Sequence, residues 1–263
     1  MKVSIITVVF NGEKYIEDCL ASVSEQATNY EHIVIDGGST DHTIQIVKSF
    51  GNNEIVLISE TDEGIYFAMN KGISAASGDV IAFLNSDDLL EKGTIKWVTE
   101  QFESNPQLDV LCGSVRVIEG KECLAPMLAS KMHLFSEMLP HPSVFIRKSR
   151  IGSNLRYSTN YVVASDYELL LRLRHLGYNF QTSDKILAIY RKGGFSSTIK
   201  SQIQSIYETT QIQNLYGLLS IPFPIKVSMR LTKHFFLKIG SCRDRLVFLS
   251  ELIILLRLRK LSK

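Results

Sequence analysis

The chain lacks any stretch of about 20 uncharged apolar residues, so nothing in it reads as a transmembrane helix. No signal-peptide pattern opens it: Met1-Lys2 leads directly into a strand-like run. Cysteines are few. Cys19, Cys112, Cys123 and Cys242 lie far apart with no C-x-x-C. That spacing argues against a zinc site or a disulfide scaffold and fits a reducing compartment. No G-x-G-x-x-G follows the first apolar run, so the usual dinucleotide fingerprint is missing. The loop at that point, Phe10-Asn11-Gly12-Glu13, is neither basic nor glycine-rich. A nucleotidyltransferase gripping a triphosphate would need it to be both. Internal repeats and low-complexity tracts are absent as well.

What is present is enough for a large core. The chain has 263 residues, 45% hydrophobic and 21% charged, which suits one sizeable α/β domain with or without a tail. The net charge of +2 hides an asymmetry. Residues 226–263 hold ten Lys/Arg against two acids, and residues 1–225 hold 19 basic and 25 acidic residues. Such a tail suits an anionic surface. No nucleic-acid partner is expected.

The first half alternates regularly. Val3 to Val9 is rich in β-branched residues and reads as a buried strand. Tyr15, Ile16, Cys19, Leu20 and Val23 recur at helical spacing, which predicts a helix from Glu13 to about Gln26. A second strand, Ile33 to Ile35, ends at Asp36, and Ser39 or Thr40 is expected to cap the next helix. Glu54 to Ser59 reads as a third strand and Ile65 to Ala76 as a third helix. Val80 to Leu84 then runs into Asn85-Ser86-Asp87-Asp88. The order β-α-β-α-β-α-β predicts a parallel sheet with crossover helices.

Three of these strands end in acidic residues: Asp36, Asp62, and Asp87 with Asp88. In a parallel sheet the C-terminal ends share one edge, where ligands bind. Two adjacent carboxylates repel, and a divalent cation bridging to phosphate oxygens would compensate them. A solvated turn with an Asx cap is the competing reading of Asn85 to Asp88.

The second half is less regular and suggests a mixed sheet. It contains a helix around Ile95, Val98 and Phe102, a strand from Val110 to Val117, and an unreadable stretch from Lys121 to Met138. Another strand, Val144 to Ile146, follows Pro140-His141-Pro142-Ser143. There His141 either faces an acceptor or, as the favoured reading, merely shapes a turn. Ser165-Asp166-Tyr167-Glu168 opens a helix with Leu169, Leu170, Leu173 and Leu176 on its buried side and Gly177 at its end. Ile186 to Tyr190 reads as the last strand. Trp97, Cys19 and Cys112 are expected in the core.

Taken together, these motifs resemble family 2 glycosyltransferases, inverting enzymes of GT-A fold. The resemblance is carried by Ser4 to Asn11, Asp36-Gly37-Gly38-Ser39-Thr40-Asp41, and Asp62-Glu63-Gly64 through Ile73. Gly78-Asp79, Asn85 to Asp88 and Ser165 to Glu168 complete the series, which spans roughly residues 1–197. It implies a Rossmann-like, mainly parallel sheet flanked by helices. It also implies a nucleotide-sugar-binding half, 1–115, an acceptor-facing half, 116–217, and a helical tail, 218–263. By the same resemblance Thr7, Val8 and Asp36 form the pocket for the nucleotide base, and Asp62 helps to close it. Asp87 meets ribose or donor sugar, Asp88 holds Mg²⁺ or Mn²⁺ on the diphosphate, and Asp166 is the catalytic base. Arg191 with Gly193-Gly194 resembles a late loop over the donor phosphates, and Lys71 could help neutralise them. Ser165 stands where many relatives carry Glu, so no second carboxylate precedes the base.

The expected activity is transfer of a hexosyl or N-acetylhexosaminyl group from a nucleotide-diphosphate donor, UDP-linked, to a saccharide or lipid-linked acceptor in cell-surface polysaccharide assembly. A non-catalytic sugar-nucleotide sensor or scaffold is the alternative, and it would need no Asp166. In the tail, Pro222 and Pro224 precede two apolar stretches interleaved with Lys and Arg. That pattern suits an interfacial helix on an anionic membrane, placing the protein in the cytoplasm and peripheral on the inner face. Ordinary helices that pack on the domain or form a homodimer contact are the competing reading.

Overall fold

A computed structural model describes residues 1–26, 29–50, 55–129, 139–193 and 198–218. The described residues belong to one compact unit, Met1–Leu218. The tail beyond Leu218, Glu54, Gly194 and the second half of the Lys121 to Met138 stretch, residues 130–138, lie outside them.

Strand β1 (Val3–Val9) is buried along its whole length and lies near the middle of a nine-stranded sheet. It pairs in parallel with β2 (Tyr30–Asp36) and β4 (Val80–Phe83), and β2 pairs in parallel with β3 (Ile55–Ser59). The helices between them are α1 (Ile16–Ser24), α2 (Thr43–Ser49) and α3 (Ile65–Ala75). Beyond β4 the sheet changes character. β8 (Val144–Arg147) is antiparallel to both β4 and β6 (Val110–Glu119). β9 (Phe180–Arg191) is parallel to β6, while β5 (Leu89–Leu90) and β7 (Glu122–Met127) run antiparallel to β9 and β6. The remaining helices are α4 (Thr94–Ser104), the single turn α5 (Lys148–Ile151), α6 (Ser165–His175) and α7 (Ile199–Leu215).

Side-chain alternation sorts the core into layers. From β1, Ile6 and Val8 join Tyr66, Met69, Leu169 and Leu173 on one face. Val3 and Ile5 face the other way, with Cys19 and Val23 of α1 and Ile95, Val98 and Phe102 of α4. This is a three-layer α/β/α arrangement with one continuous sheet in the middle. Cys19 and Cys112 are fully buried, and Trp97 packs partly buried against the α4 layer.

Local expectations fail in three places. α1 begins at Ile16, because Asn11 takes φ +51 and Gly12 accepts the first helical hydrogen bonds, from Tyr15 and Ile16. Neither Ser39 nor Thr40 caps α2. Ser39 Oγ instead accepts from Asn11 N, and the Asp41 carboxylate accepts from Thr43 N. Leu176 is 53% exposed, since α6 ends there in a turn with Gly177 at φ +85. In that turn Tyr178 N donates to Leu173 O and Gly177 N to Arg174 O, the two bonds of a Schellman motif.

Candidate active site

The parallel half delivers its acids to one edge. Asp36 ends β2 and stands in register with Val9 of β1 and Ser59 of β3. Its carboxylate is fully buried and accepts from Gly38 N, Ser39 N and Ser59 Oγ, at 2.8–3.3 Å. The acid thus stiffens the turn that follows it. Asn11 Oδ1 accepts from Thr40 N at 2.9 Å and ties that turn to the end of β1. Thr7 and Val8 send their side chains elsewhere. Thr7 Oγ1 bonds His32 Nε2 at 2.9 Å, and Val8 packs in the core. Burial pushes the His32 imidazole down to about 3, so it stays neutral.

Asp62 is not at a strand tip, because β3 ends at Ser59. The loop after β3 nevertheless brings it to the same edge: a Cβ on Gly37 would lie 3.6 Å from Asp62 Oδ2. Only 6% of the Asp62 side chain is exposed. Lys71 pairs with it at 2.5 Å and with Glu60 at 2.6 Å. Neither Asp62 oxygen accepts a well-directed hydrogen bond among the described residues. Lys71 is therefore committed to two acids rather than standing as a bare cation.

Asp87 and Asp88 sit on a turn between β4 and β5, closed by Asp88 N donating to Asn85 O at 3.0 Å. A solvated turn does not fit, because Asp88 has no exposed surface. Its Oδ1 accepts from Arg191 N at 3.0 Å and its Oδ2 from Asn85 Nδ2 at 3.3 Å. Burial, with the neighbouring Asp87 charge, pushes Asp88 up to about 8, and burial raises Asp87 too. The pair carries a second negative charge comfortably only beside a cation. The turn also faces the β1 loop, since a Cβ on Gly12 would lie 3.3 Å from Ser86 Oγ.

Arg191, at the end of β9, completes this corner. Its guanidinium lies 4.7 Å from the Tyr15 ring centroid, and its Nη2 donates to Asp18 Oδ2 at 2.7 Å. Its Nη1 is buried and donates to nothing among the described residues.

Asp166 is the second residue of α6 and is half-buried. Its Oδ1 accepts from Tyr167 N at 2.7 Å. Burial pushes its carboxyl up to about 6, and the Glu208 charge adds to the shift. Tyr66 and Tyr157 both sense the Asp166 charge, and both phenols are raised, mainly by burial. Ser165 N donates to Tyr66 Oη at 3.2 Å. The two tyrosine rings stack at 5.5 Å, and Tyr157 meets Phe83 edge-on at 5.0 Å. Phe83 in turn stacks with His141, whose Nε2 bonds Tyr157 Oη at 2.9 Å. His141 therefore belongs to an aromatic cluster. Burial holds its imidazole down at about 4.

Sequence reasoning missed several of these partners. Tyr15 and Asp18 show only as helix-face residues, and Tyr66 and Tyr157 as apolar ones. Glu208 gives no signal at all, because the main chain it holds lies more than forty residues away along the chain.

Residues 4–155 match the sequence model described as "Glycosyl transferase family 2". The chain belongs to that family. This glycosyltransferase is 29% identical over 203 residues to a PGL/p-HBAD biosynthesis glycosyltransferase of Mycobacterium bovis, covering 74% of this chain and 79% of the relative. Among solved structures it resembles Staphylococcus aureus TarS residues 1–349 in complex with UDP-GlcNAc, with a TM-score of 0.68 and 22% identity. That match covers 89% of this chain and 73% of TarS. It also resembles the mannosyltransferase PcManGT from Pyrobaculum calidifontis in complex with GDP-Man and Mn²⁺. There the TM-score is 0.66 and the identity 15%, over 97% of this chain and 80% of that one. The fold is of GT-A type. Enzymes of this fold generally use a divalent cation. No group of three His, Cys, Asp or Glu suited to a metal occurs among the described residues, so the protein side of such a site would be small. The donor set still fits. Asp87 and Asp88 offer only hard oxygen ligands, which suit Mg²⁺ or Mn²⁺ completed by phosphate oxygens.

Proposed function

We propose that this glycosyltransferase moves a hexosyl or N-acetylhexosaminyl group from a UDP-linked donor to a saccharide or lipid-linked acceptor, with inversion, in cell-surface polysaccharide assembly. One observation carries the proposal. A carboxyl raised to about 6 acts electrostatically on the stacked Tyr66 and Tyr157, and Tyr157 also meets Phe83, the last residue of β4, before the acid pair. Asp166 takes the proton from the acceptor hydroxyl as the new glycosidic bond forms. A base with a value near the working pH is effective in that role.

Donor recognition follows from the orphaned atoms. Asp62 Oδ2 beside Gly37, the oxygen not taken by Lys71, suits an N–H donor of the nucleotide base, and the main chain beyond β1 borders the same place. Asp36 acts through the turn it stiffens, and Lys71 orients Asp62. The Arg191 Nη1 donor suits a phosphate oxygen of the leaving diphosphate. Asp88, with Asp87 beside it, would hold Mg²⁺ or Mn²⁺ there. Such a cation stabilises the charge that builds as the donor bond breaks. TarS in its complex with UDP supports a UDP donor by likeness of fold.

Calorimetry against a panel of nucleoside diphosphates, followed by donor hydrolysis in Asp166→Asn, tests this reading. Binding of UDP with loss of turnover in the variant supports it, and unchanged hydrolysis in the variant overturns it.

The tail, residues 218–263, completes the proposal as an anchor on the inner face of the membrane. Among the described residues no helix is long and apolar enough to cross a bilayer. Full-length protein is expected to cosediment with anionic vesicles, less so at high salt, while a chain ending near Leu219 remains in solution and still hydrolyses donor. Full-length protein that ignores such vesicles at low salt assigns the tail to packing or to a homodimer.

A further inference from the structure

Helix α7 lies beyond the matched residues 4–155, and the motifs of the family resemblance stop short of it. One of its residues is spent entirely on the approach to the base. Glu208 is 3% exposed. Its Oε2 accepts from Val163 N and Ala164 N, both at 2.9 Å, and its Oε1 accepts from Val162 N at 2.9 Å. Gln204 Nε2 adds a fourth bond at 2.8 Å. Three successive main-chain N–H groups thus converge on one buried carboxylate. The next N–H, of Ser165, goes to Tyr66 Oη, and the residue after that is Asp166.

Chance does not explain this use of a charge. Burying a carboxylate is expensive unless every lone pair is well satisfied, and here all four bonds are made. A local Ser or Asp at position 164 would be enough to cap α6. The chain has Ala164 there instead, with no side-chain cap, and supplies the anion from another helix. The turn at 162–164 is therefore held by α7 and not by its own sequence.

We infer that Glu208 is a positioning residue for the glycosyl transfer, fixing the 162–164 turn and through it the place of Asp166 against the acceptor hydroxyl. The inference rests on the reading of Asp166 as the base. Four features bear on the Asp166 carboxylate: Tyr66 from α3, Tyr157 from the segment after α5, Glu208 from α7, and the N–H groups at the start of α6 itself. Among them Glu208 is the acid, and its charge raises Asp166. Glu208→Gln removes that charge and opposes an amide NH₂ to main-chain donors.

The test uses the full chain with UDP release from UDP-GlcNAc, UDP-glucose or UDP-galactose, and ¹³C NMR titration of the Asp166 carboxyl, which needs no donor. Glu208→Gln is expected to lower kcat by about 10–100-fold, the scale of a small misplacement of a reacting group, with donor KM nearly unchanged. The Asp166 titration and the rising limb of the kcat profile should both move to lower pH. Glu208→Asp keeps the charge, so its titration should stay near that of the natural protein while turnover falls less. Wild-type turnover in Glu208→Gln overturns the inference. So does a loss of turnover with an unmoved Asp166 titration and a matching rise in donor KM, which would make Glu208 a prop of the fold. If Asp166→Asn itself keeps its turnover, the reading of the base fails first, and the inference with it.

Discussion

The two halves of this glycosyltransferase hold their acids by different means. In the parallel half, Asp36 is fixed by its own strand register and by bonds to Gly38, Ser39 and β3. In the mixed half, the turn leading to Asp166 is held from outside, by Tyr66 of α3 through Ser165 N and by the Glu208 clamp on residues 162–164. The first arrangement is preorganised by topology alone. The second depends on packing between elements far apart in sequence. The edge that carries Asp36 can thus form with the sheet, whereas Asp166 reaches its place only when α3, α6 and α7 have docked.

The sharpest way to break this contrast is at the acid pair, where both halves meet through the Arg191 N to Asp88 bond. Asp88→Ala should reduce turnover by at least ~10³-fold, the scale of losing electrostatic stabilisation of a leaving group. Excess EDTA should do the same to the natural protein, and full activity in EDTA would remove the cation from the reading.

Asp166→Asn comes next. Turnover should fall by at least ~10²-fold while donor affinity stays within a few-fold. If donor binding collapses as well, Asp166 belongs to the donor half. Stability should move the other way. A carboxyl raised from its ordinary value near 3.8 to about 6 binds its proton more tightly when folded, so the stability it lends falls as pH rises across that window and stays low above it. Asparagine removes this cost. Discounted for partial exposure to ~1 kcal/mol, the variant should melt about 2–4 °C higher at neutral pH, read by thermal denaturation. The natural protein should gain activity as pH rises through about 6.

Arg191→Lys is expected to raise donor KM by about 10-fold, because lysine keeps a charge but loses the planar stack on Tyr15 and the Nη1 donor. An unchanged KM would detach this corner from the diphosphate.

The smallest effect tests the parallel half as a scaffold. A Cβ at Gly72 would lie 2.3 Å from Cγ2 of the fully buried Ile6. Overpacking costs about 1–3 kcal/mol, against about 1 kcal/mol gained from replacing glycine within a helix. The clash should win by about 1 kcal/mol, so Gly72→Ala should melt about 2–4 °C lower, with turnover kept at low temperature.

The same division explains what could be read from the residues. Val3 to Val9 and Val80 to Phe83 announce themselves as short continuous apolar runs, and Ile65 to Ala75 by its helical spacing. Their acids were legible for the same reason. Asp166 was legible as a motif, but not what surrounds it, since Glu208, Tyr66 and Tyr157 reach it across long separations in sequence. β7 was unreadable for a different reason. Glu122–Met127 is an edge strand, largely exposed on both sides, so no hydrophobic alternation marks it. Asp87 and Asp88 were expected on a strand tip and lie one turn beyond it, where Asn85 closes the loop. Ser39 misled because its hydroxyl is taken by Asn11 N, and Leu176 because the helix turns away at Gly177 before its side chain can be buried.

Phe83, Tyr157 and Tyr66 have one more consequence. Their rings make a solid column from the last residue of β4, beside the acid pair, to the residue that receives Ser165 N. Aromatic rings do not compress, so the column acts as a gauge block that spaces the end of β4 from the start of α6 by ring thickness and not by a hinge. On the function proposed above, surrounding loops can then lengthen, shorten or change sequence without recalibrating the distance between the acid pair and Asp166.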